Sequence, residues 1–487
     1  MQSNSARRNQ TNLPWNPVHD LGSAESGPLH ERLRSTLIDA IRAGRPAAGS
    51  MLPPSRALAA ELGCSRWVVT EAYSQLIAQG YLEARTGSAT RVKLSSAPRE
   101  HAPPAPIRSE PNFNLTSGLP DLRAFPRRQW AAAIRAALGQ ASFVDLGYPS
   151  HGGHPKLRRV LADYLTRLRG AAIELDDVIV STGVIDGVTR LSRALVRSGV
   201  SLIGVEDPGW PRLASAVEAG GGSTVPLAVD EHGIRVDQLA ANREIRAVIV
   251  APAHQFPTGA VLSPVRRALL LQWAREVDGI VIEDDYDAEF RYDGRPVGTL
   301  QGVDPSRVLL MGSVSKTLAP ALRMGWIAAP PRWSRLLRDD RVPSPEPPTM
   351  EQLALASFIE AGSFDRHLRK ARQRYRARRD ALVSALGSEL PQCRVSGIAA
   401  GLHLLLHLPE GVDPSAVVRE AASRGLRLRS LDQFAVRVGP WGNGLVLGYG
   451  NLPDELVREA AQEVALAALA SSSHRITFSG PTGSIPP

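Results

Sequence analysis

The chain has 487 residues, a net charge of +9, 43% hydrophobic residues and 22% charged residues. These values are typical of a globular protein with at least two domains, and they exclude a disordered or fibrous chain. Cys64 and Cys393 are too few and too far apart for a disulfide framework or a cysteine-rich zinc site. We find no signal peptide and no apolar run of membrane-spanning length, so we expect a cytoplasmic protein.

Three predicted helices and a hairpin make up the first part of the chain. Apolar residues recur at a helical interval over residues 29–41, and short helices follow over residues 55–63 and 65–80, separated by a tight turn. Residues 81–92 then predict two strands around a turn that contains glycine. This order is that of a winged helix-turn-helix, an α+β DNA-binding domain, which we assign to residues 21–94.

The second short helix carries residue types that read DNA. Ser65, Arg66 and Thr70 fall in its first turns, where a recognition helix meets base edges and phosphates, and Arg56 begins the helix before it. Residues 28–94 contain nine Lys or Arg against five Asp or Glu, a modest excess that suits a DNA-binding surface. Paired short helices also occur in small domains that bind no DNA, and spacing alone does not separate the two cases.

The motifs of this region resemble those of a known family. They read Leu52-Pro53-Pro54-Ser55-Arg56, Leu62-Gly63-x-Ser65-Arg66 and Gly80-Tyr81-Leu82. In order and spacing they are similar to the winged helix-turn-helix of GntR-type regulators. The resemblance implies that Arg56, Arg66, Thr70 and the wing tip at Gly87 contact DNA. Two positions depart from the family pattern. Ala89 lies where a second wing glycine is usual, and bulky Trp67 occupies a place in the recognition helix where a small residue is usual.

A second domain is predicted over residues 113–470. Residues 95–112 are rich in proline and predict a semi-extended linker, and residues 1–20 and 471–487 predict disordered tails. Five segments of the second domain are apolar β-runs that continue into a polar turn or stop just before one. They are residues 177–183, 202–210, 247–250, 279–286 and 308–313. Because helices alternate with these β-runs, we predict an α/β sheet covered on both faces, with ligands at the carboxyl ends of its strands.

Lys316 follows the last of these segments. The chain has four lysines among its 57 Lys and Arg residues, so a lysine marks a place where an amine that can lose its proton is useful. Such an amine forms a Schiff base, which a guanidinium cannot. Ser313, Ser315 and Arg323 are nearby in sequence and are groups that bind phosphate. An amine beside a phosphate site indicates pyridoxal 5'-phosphate (PLP), whereas a lysine in a serine-rich surface turn is the alternative.

A PLP site also needs partners for the pyridine ring. We assign Asp284 to the ring nitrogen and Tyr286 to the ring oxygen, because alternate strand residues point to the same side. Trp210 follows an earlier strand and is the candidate that stacks on the ring. The acidic run around Asp284 has two other interpretations, a solvated loop or a metal site with His254, and we assign no metal.

Longer motifs extend the resemblance to almost the whole chain. They read Gly118-Leu119-Pro120-Asp121, His254-Gln255-Phe256-Pro257-Thr258-Gly259, Glu283-Asp284-Asp285-Tyr286-Asp287 and Ser315-Lys316-Thr317-Leu318-x-Pro320-x-Leu322-Arg323. They are similar to the MocR-type regulators, in which a GntR-type winged helix precedes a PLP fold type I aminotransferase-like domain. The resemblance implies that Lys316 forms an aldimine with PLP, that Arg323 binds its phosphate and that Arg212 binds an effector carboxylate. It also implies a head-to-tail homodimer that binds a double-stranded DNA operator.

Three positions differ from the usual pattern of the aminotransferases or of these regulators. Phe256 occupies the place of an asparagine that touches the ring oxygen in fold type I aminotransferases, as is common in MocR-type regulators, and Trp210 replaces a tyrosine. Asp186 lies where relatives often carry a serine or glutamine for the phosphate, and a carboxylate beside a phosphate is unfavourable. Either Asp186 points away from the phosphate or the affinity for PLP is reduced.

The sequence therefore predicts a PLP-dependent, DNA-binding transcriptional regulator that senses PLP or a small amino compound. We expect a sensor rather than an enzyme, with at most residual transamination. An active aminotransferase with an appended DNA-binding module would need the same site residues and is the alternative. A third hypothesis, based on Asp186, is a DNA-binding scaffold that has lost PLP. The basic stretch at residues 366–379 is either a solvated helix face or a strip that contacts DNA phosphates.

Overall fold

Two compact units divide the chain at Ser109, which lies within the predicted linker. The structure is a computed structural model, and it describes residues 27–84, 89–93, 111–149, 151–292, 297–340, 342, 345–436 and 442–471. Several predicted features lie outside the described residues. They are the N-terminal tail, residues 472–487 of the C-terminal tail, the wing tip at Gly87 and all of the linker except residues 111 and 112.

Three helices and a two-stranded hairpin form the described part of the first unit. They are α1 Leu29–Arg42, α2 Ser55–Glu61, α3 Arg66–Ala78, β1 Leu82–Glu83 and β2 Arg91–Val92. The two strands are antiparallel, with Leu82 opposite Val92. The apolar stripe of α1, which includes Leu33 and Leu37, packs with Leu76 of α3 in one buried core. The predicted helix-turn-helix and wing strands are confirmed.

An eight-stranded mixed sheet forms the centre of the second unit. In spatial order its strands are β4 Val178–Ser181, β11 Gly325–Ala328, β10 Val308–Ser313, β9 Ile280–Asp284, β8 Ala247–Val250, β5 Leu202–Asp207, β6 Ser223–Asp230 and β7 Gly233–Ile234. The strands from β10 to β6 are parallel to one another, and β11 is antiparallel to both of its neighbours. The strand β4 therefore runs in the same direction as the parallel set, and its carboxyl end lies at the same edge.

Helices cover both faces of this sheet. They are α4 Arg127–Gln140, α5 Pro155–Arg169, α6 Val184–Arg197, α7 Pro211–Ala219, α8 Val236–Ala241, α9 Pro264–Glu276, α10 Pro331–Arg338, α11 Thr349–Glu360 and α12 Ser363–Glu389. Successive residues of β8 belong to different cores, since Ile249 packs with Ile282 whereas Val248 and Val250 pack with Leu270 of α9. The predicted α/β domain is thus confirmed. Within the described ranges, no helix combines the length and the apolar character needed to cross a membrane.

A smaller antiparallel sheet lies in the C-terminal part of the second unit. Its strands, in spatial order, are β12 Arg394–Ser396, β13 His403–His407, β16 Gly444–Gly448 and β15 Arg429–Ser430, accompanied by α13 Pro414–Ser423 and α14 Val457–Ala470. The chain that leaves the linker joins this region, because β3 Phe113–Asn114 pairs with β14 Leu426–Arg427. This pairing leads the following residues, including Gly118, to the edge of the large sheet.

The basic stretch at residues 366–379 lies on α12 and contains two kinds of arginine. Several of its side chains are exposed, but Arg378 is buried and donates to Asp121 and Asp454 at 3.1 and 2.7 Å. Arg374 also donates to Asp121, at 3.3 Å. Neither predicted role for the stretch applies to Arg374 and Arg378, which join the helix to neighbouring segments through ion pairs.

Candidate functional site

A cavity of about 430 Å³ opens at the carboxyl ends of β4, β5, β8, β9 and β10. Because these strands run in the same direction, their polar ends meet at one edge of the sheet. The cavity is lined by every residue that the sequence assigns to the cofactor or effector: Lys316, Asp284, Tyr286, Trp210, Ser313, Ser315, Arg323 and Arg212. Strand direction alone brings together groups that are far apart in the sequence.

Asp284 contributes a buried and unpartnered oxygen to this cavity. Its Oδ1 has no hydrogen-bond partner among the residues that the structure describes. Burial, and then the charge of Asp285, raise the pKa of Asp284 to about 7, although Lys316 opposes the shift. An unsatisfied buried oxygen costs about 1–3 kcal/mol, so the site favours a ligand that supplies a positively charged N–H. The protonated ring nitrogen of PLP is such a group.

Lys316 lies at the same cavity and has a close contact with the segment after the linker. Its Nζ donates to the backbone oxygen of Gly118 at 2.6 Å. Burial lowers the pKa of Lys316, although Asp287 and Asp284 oppose the shift. A lowered pKa favours the neutral amine that Schiff-base chemistry needs. Position 118 favours glycine because its φ is +84°, and a Cβ there would lie 2.7 Å from Nζ, so a larger residue would displace the amine.

The hydroxyl of Tyr286 is held at the cavity by a buried histidine. It lies 3.1 Å from Nδ1 of His254, and the same nitrogen lies 2.9 Å from Oδ2 of Asp287. The exposed fractions of His254 and Asp287 are 3% and 2%. Burial, followed by the charges of Asp287 and Asp284, raises the pKa of Tyr286 well above its ordinary value. The phenol therefore stays protonated at neutral pH.

His254, Asp287 and His403 form a cluster whose ligand atoms lie within 4.8 Å of one another. Nε2 of His403 donates to the backbone oxygen of Pro257 at 3.2 Å, and burial, followed by His254, lowers the pKa of His403 well below its ordinary value. The 2.9 Å contact of His254 with Asp287 is a hydrogen-bond length, shorter than the separation of about 3.3 Å between two ligands of one tetrahedral zinc ion. The sequence names His254 only as a loose metal candidate, because nothing in it links three separate segments.

The wall predicted to hold phosphate is formed by the start of α6 and the turn after β10. Gly183 precedes α6 with a φ of +124°, and a Cβ there would meet no atom within 4 Å. Val184 and Ile185, the first residues of the helix, line the cavity, and a helix N-terminus attracts phosphate. Ser313, Ser315 and Arg323 line the same cavity.

Asp186 belongs to the first turn of α6 but does not line the cavity. Its Oδ2 accepts a hydrogen bond from the backbone N–H of Thr182 at 3.1 Å. This contact agrees with the first of the two expectations for Asp186, in which the carboxylate points away from the phosphate.

Aromatic and cationic side chains complete the cavity. Trp210 precedes α7, and the guanidinium carbon of Arg212 lies 5.9 Å from the centre of its ring. Phe256 packs edge-on against Phe434 with ring centres 5.1 Å apart. Arg429 of β15 also lines the cavity, but it is not among the residues predicted from the sequence. It lies in a two-residue strand without a motif, so no sequence signal distinguishes it from other arginines.

The predicted DNA contacts lie on α2 and α3 or at the residue before α3. The exposed side chains among them are Arg56, Ser65, Arg66 and Thr70. Nε of Arg66 lies 3.4 Å from the Ser55 hydroxyl, and the Thr70 hydroxyl donates to the backbone oxygen of Arg66 at 2.9 Å. Trp67 is 62% exposed on the same helix, which is unusual for a tryptophan. Gly87 lies outside the described residues.

Each of the two units matches a known protein family, and relatives named as transcriptional regulators match most of the chain. Residues 29–92 match the bacterial regulatory proteins of the gntR family, and residues 111–442 match aminotransferase class I and II. The HTH-type pyridoxine biosynthesis transcriptional regulator PdxR of Corynebacterium glutamicum is 33% identical over 86% of this chain and 91% of its own length. The chain belongs to the MocR-type regulators. The probable rhizopine catabolism regulatory protein MocR of Rhizobium meliloti is 32% identical, over 92% of this chain and 95% of its own.

Solved aminotransferases share the fold of the second unit of this MocR-type chain. The multiple substrate aminotransferase of Thermococcus profundus superposes with a TM-score of 0.67 and 25% identity, covering 75% of this chain and 93% of that enzyme. The combination of a GntR-type unit with an aminotransferase fold, in a chain whose relatives carry regulator names, confirms the predicted class of function, a transcriptional regulator.

Proposed function

We propose that this regulator holds PLP in the cavity at the strand ends and changes its DNA binding when PLP or a small amino compound occupies that cavity. One observation carries the proposal: a lysine with a lowered pKa and an unpartnered buried carboxylate oxygen line the same cavity. A ligand that reacts with an amine and also carries a cationic N–H satisfies both groups, and PLP has both features.

Each candidate residue has a distinct task in this proposal. Lys316 would bind the aldehyde of the cofactor, Asp284 its ring nitrogen and Tyr286 its ring oxygen. The phosphate would be held by Ser313, Ser315, Arg323 and the start of α6, with Trp210 against the ring. Bound PLP would supply an electrophilic carbon that captures primary amines.

The effector we propose is an amino compound that also carries a carboxylate. Arg212 and Arg429 both line the cavity, and guanidinium groups bind carboxylates through paired hydrogen bonds. An effector with both groups would reach PLP with its amine and the arginines with its carboxylate. PLP itself is the alternative effector, and it would act by filling the cavity without an amine.

A second copy of the chain is the partner we propose for an exposed apolar segment. Phe143, Val144, Leu146 and Tyr148 are 96%, 83%, 63% and 101% exposed, and Leu138 of α4 is 61% exposed. Monomeric proteins rarely expose such a run of large apolar side chains. We infer a homodimer, head-to-tail as in the relatives that the sequence resembles, whose two arrangements have different affinities for the ligand and for a double-stranded operator.

We propose that the chain acts as a regulator and does not catalyse sustained transamination. The aminotransferase fold of the second unit supports the other candidate, a working aminotransferase with a DNA-binding unit. Incubation with an amino donor and a 2-oxo acid separates the two, because the regulator would show no sustained product formation whereas an enzyme would turn over many times.

The decisive experiment is the visible absorption of the full-length protein after addition of PLP. We expect a band that sodium borohydride removes, that is absent in Lys316→Ala and that persists in Lys370→Ala, since Lys370 is exposed on α12. DNA binding by the same proteins should then depend on PLP only where the band forms. No band at millimolar PLP would contradict the cofactor proposal and favour the scaffold hypothesis.

A further inference from the structure

His254 and Asp287 are buried beside the cavity and have no task in the assignments above. They follow β8 and β9, and the 2.9 Å contact between Nδ1 and Oδ2 joins the two segments. Among the residues that we propose to bind the cofactor, Tyr286 touches this pair, since its hydroxyl lies 3.1 Å from the same Nδ1. A buried ionisable pair that touches one cavity residue suggests a role that acts through that residue.

The hydrogen positions follow from the chemistry of the partners. A carboxylate only accepts hydrogen bonds, so Nδ1 of His254 carries a hydrogen that it donates toward Asp287. The oxygen of Tyr286 therefore meets an N–H, and the phenol cannot donate to that nitrogen. The phenol is protonated and also forms a hydrogen bond with the side chain of Asp287, so the pair fixes the hydroxyl at the cavity, where the ring oxygen of a ligand would compete with Asp287 for its hydrogen.

The surrounding residues make this contact important. Phe256 occupies the place of the asparagine in the aminotransferase pattern, and its side chain offers no hydrogen bond. The contact to the ring oxygen therefore depends on Tyr286. His403, with its ring centre 5.0 Å from that of His254, has a lowered pKa and forms an uncharged wall on the other side.

We propose that Asp287 and His254 are positioning residues that hold the Tyr286 hydroxyl as a hydrogen-bond donor toward the ring oxygen of bound PLP. This inference rests on the proposed function of the cavity. Replacing Asp287 by asparagine removes the obligate acceptor and lets His254 carry its hydrogen on Nε2. The bare Nδ1 then accepts the hydrogen of Tyr286 and turns it away from the ligand.

The test is a pH titration of the visible band in full-length protein loaded with PLP. Four proteins form a double-mutant cycle: the unmodified chain, Asp287→Asn, Tyr286→Phe and the double variant. A weaker hydrogen bond leaves more negative charge on the ring oxygen, which favours retention of the nearby proton. In the presence of Tyr286 we expect Asp287→Asn to move the midpoint upward by about 0.5–1 pH unit relative to its effect in the Tyr286→Phe background.

The double-mutant cycle separates the effect of Asp287 that acts through Tyr286 from the direct electrostatic effect of the Asp287 charge on the midpoint of the band. That direct effect acts on Lys316 in both backgrounds, and Asp284 and His403, which also face the network, are the same in all four proteins. His254→Phe is a second variant that keeps an aromatic ring against His403. It removes the nitrogen that holds the Tyr286 oxygen, so we expect its effect on the midpoint also to depend on Tyr286. Equal shifts in both backgrounds, or no shift, would overturn the inference while the cofactor site stands. A missing band in the unmodified chain would instead remove the proposed function.

Discussion

Arg169 donates two hydrogen bonds to Asp285, at 2.8 and 2.9 Å, and both side chains are buried. Asp285 follows Asp284 in the chain, yet only Asp284 lines the cavity. The interpretation of this acidic run as a solvated loop is wrong, since Glu283 is 1% exposed and Asp284 and Asp285 are 8% exposed. Arg169 of α5 neutralises the Asp285 carboxylate, whereas the Asp284 carboxylate can interact with a ligand in the cavity.

The first prediction concerns the stability contributed by this pair. Arg169→Met leaves the Asp285 carboxylate buried without a partner, so we expect the free energy of unfolding to fall by about 3–5 kcal/mol. The matched control is Arg167→Met on the same helix, because the side chain of Arg167 is 57% exposed and its ion pair, at 3.4 Å, is with the half-buried Asp365. Its loss should cost less than about 1 kcal/mol. Urea denaturation measures both, and equal effects would contradict the assignment.

The second prediction is a pH dependence that originates at Asp284. Its pKa of about 7 means that the folded chain keeps a proton that the unfolded chain releases near pH 4. The stability from this group is therefore complete at low pH and is lost as the pH rises through about 7. Asp284→Asn is neutral at every pH, so its stability relative to the unmodified chain should rise between pH 5 and pH 8, by about 1–3 kcal/mol.

Unfolding of the cofactor-free proteins by urea at the two pH values measures this difference. Glu206 and Glu283 also have raised pKa values; burial is the main cause of both shifts and is common to the two proteins, whereas the smaller effect of the Asp284 charge on Glu206 is part of the measured difference. Asp163→Asn is the control, because Asp163 is exposed on α5. A difference between Asp284→Asn and the unmodified chain that is the same at pH 5 and pH 8 would argue against a raised pKa.

The site residues that follow predicted strands could be identified from the sequence. The contacts between segments that are distant in the sequence could not. Lys316, Asp284 and Tyr286 follow apolar β-runs, so their residue types and positions were sufficient to group them. Nothing in the sequence brings Gly118 to Lys316, because that contact depends on the pairing of β3 with β14. Likewise, helical periodicity does not bury Arg378, whose partner Asp121 is 257 residues away.

The third prediction tests the orientation of Asp186. Asp186→Asn removes the charge but keeps an oxygen that can accept from the Thr182 N–H. Because the carboxylate does not line the cavity, we expect the Kd for PLP, measured by absorbance titration, to change by less than about threefold. A gain in affinity of about thirtyfold would instead mean that the charge faces the phosphate. Asp186→Ala also removes the hydrogen bond and should lower stability by about 1 kcal/mol.

The fourth prediction concerns the salt dependence of DNA binding. Arg56 and Arg66 are exposed at the starts of α2 and α3, where they reach phosphates in our proposal. Each phosphate contact contributes about 0.9 to the slope of log K against log salt, so Arg56→Ala and Arg66→Ala should each lower that slope by about one per bound protomer. Operator fragments selected from random DNA, measured by fluorescence anisotropy at several salt concentrations, supply the slopes.

Thr70→Ala and Arg45→Ala distinguish phosphate contacts from other effects. The Thr70 hydroxyl donates to the backbone of its own helix, so its loss should leave the slope unchanged even if affinity for one sequence falls. Arg45 is exposed after α1 and belongs to neither helix of the helix-turn-helix, so its removal should change neither slope nor sequence preference. If Arg45→Ala lowers the slope as much as Arg66→Ala, the chain binds DNA through its overall charge, and α3 is not the recognition helix.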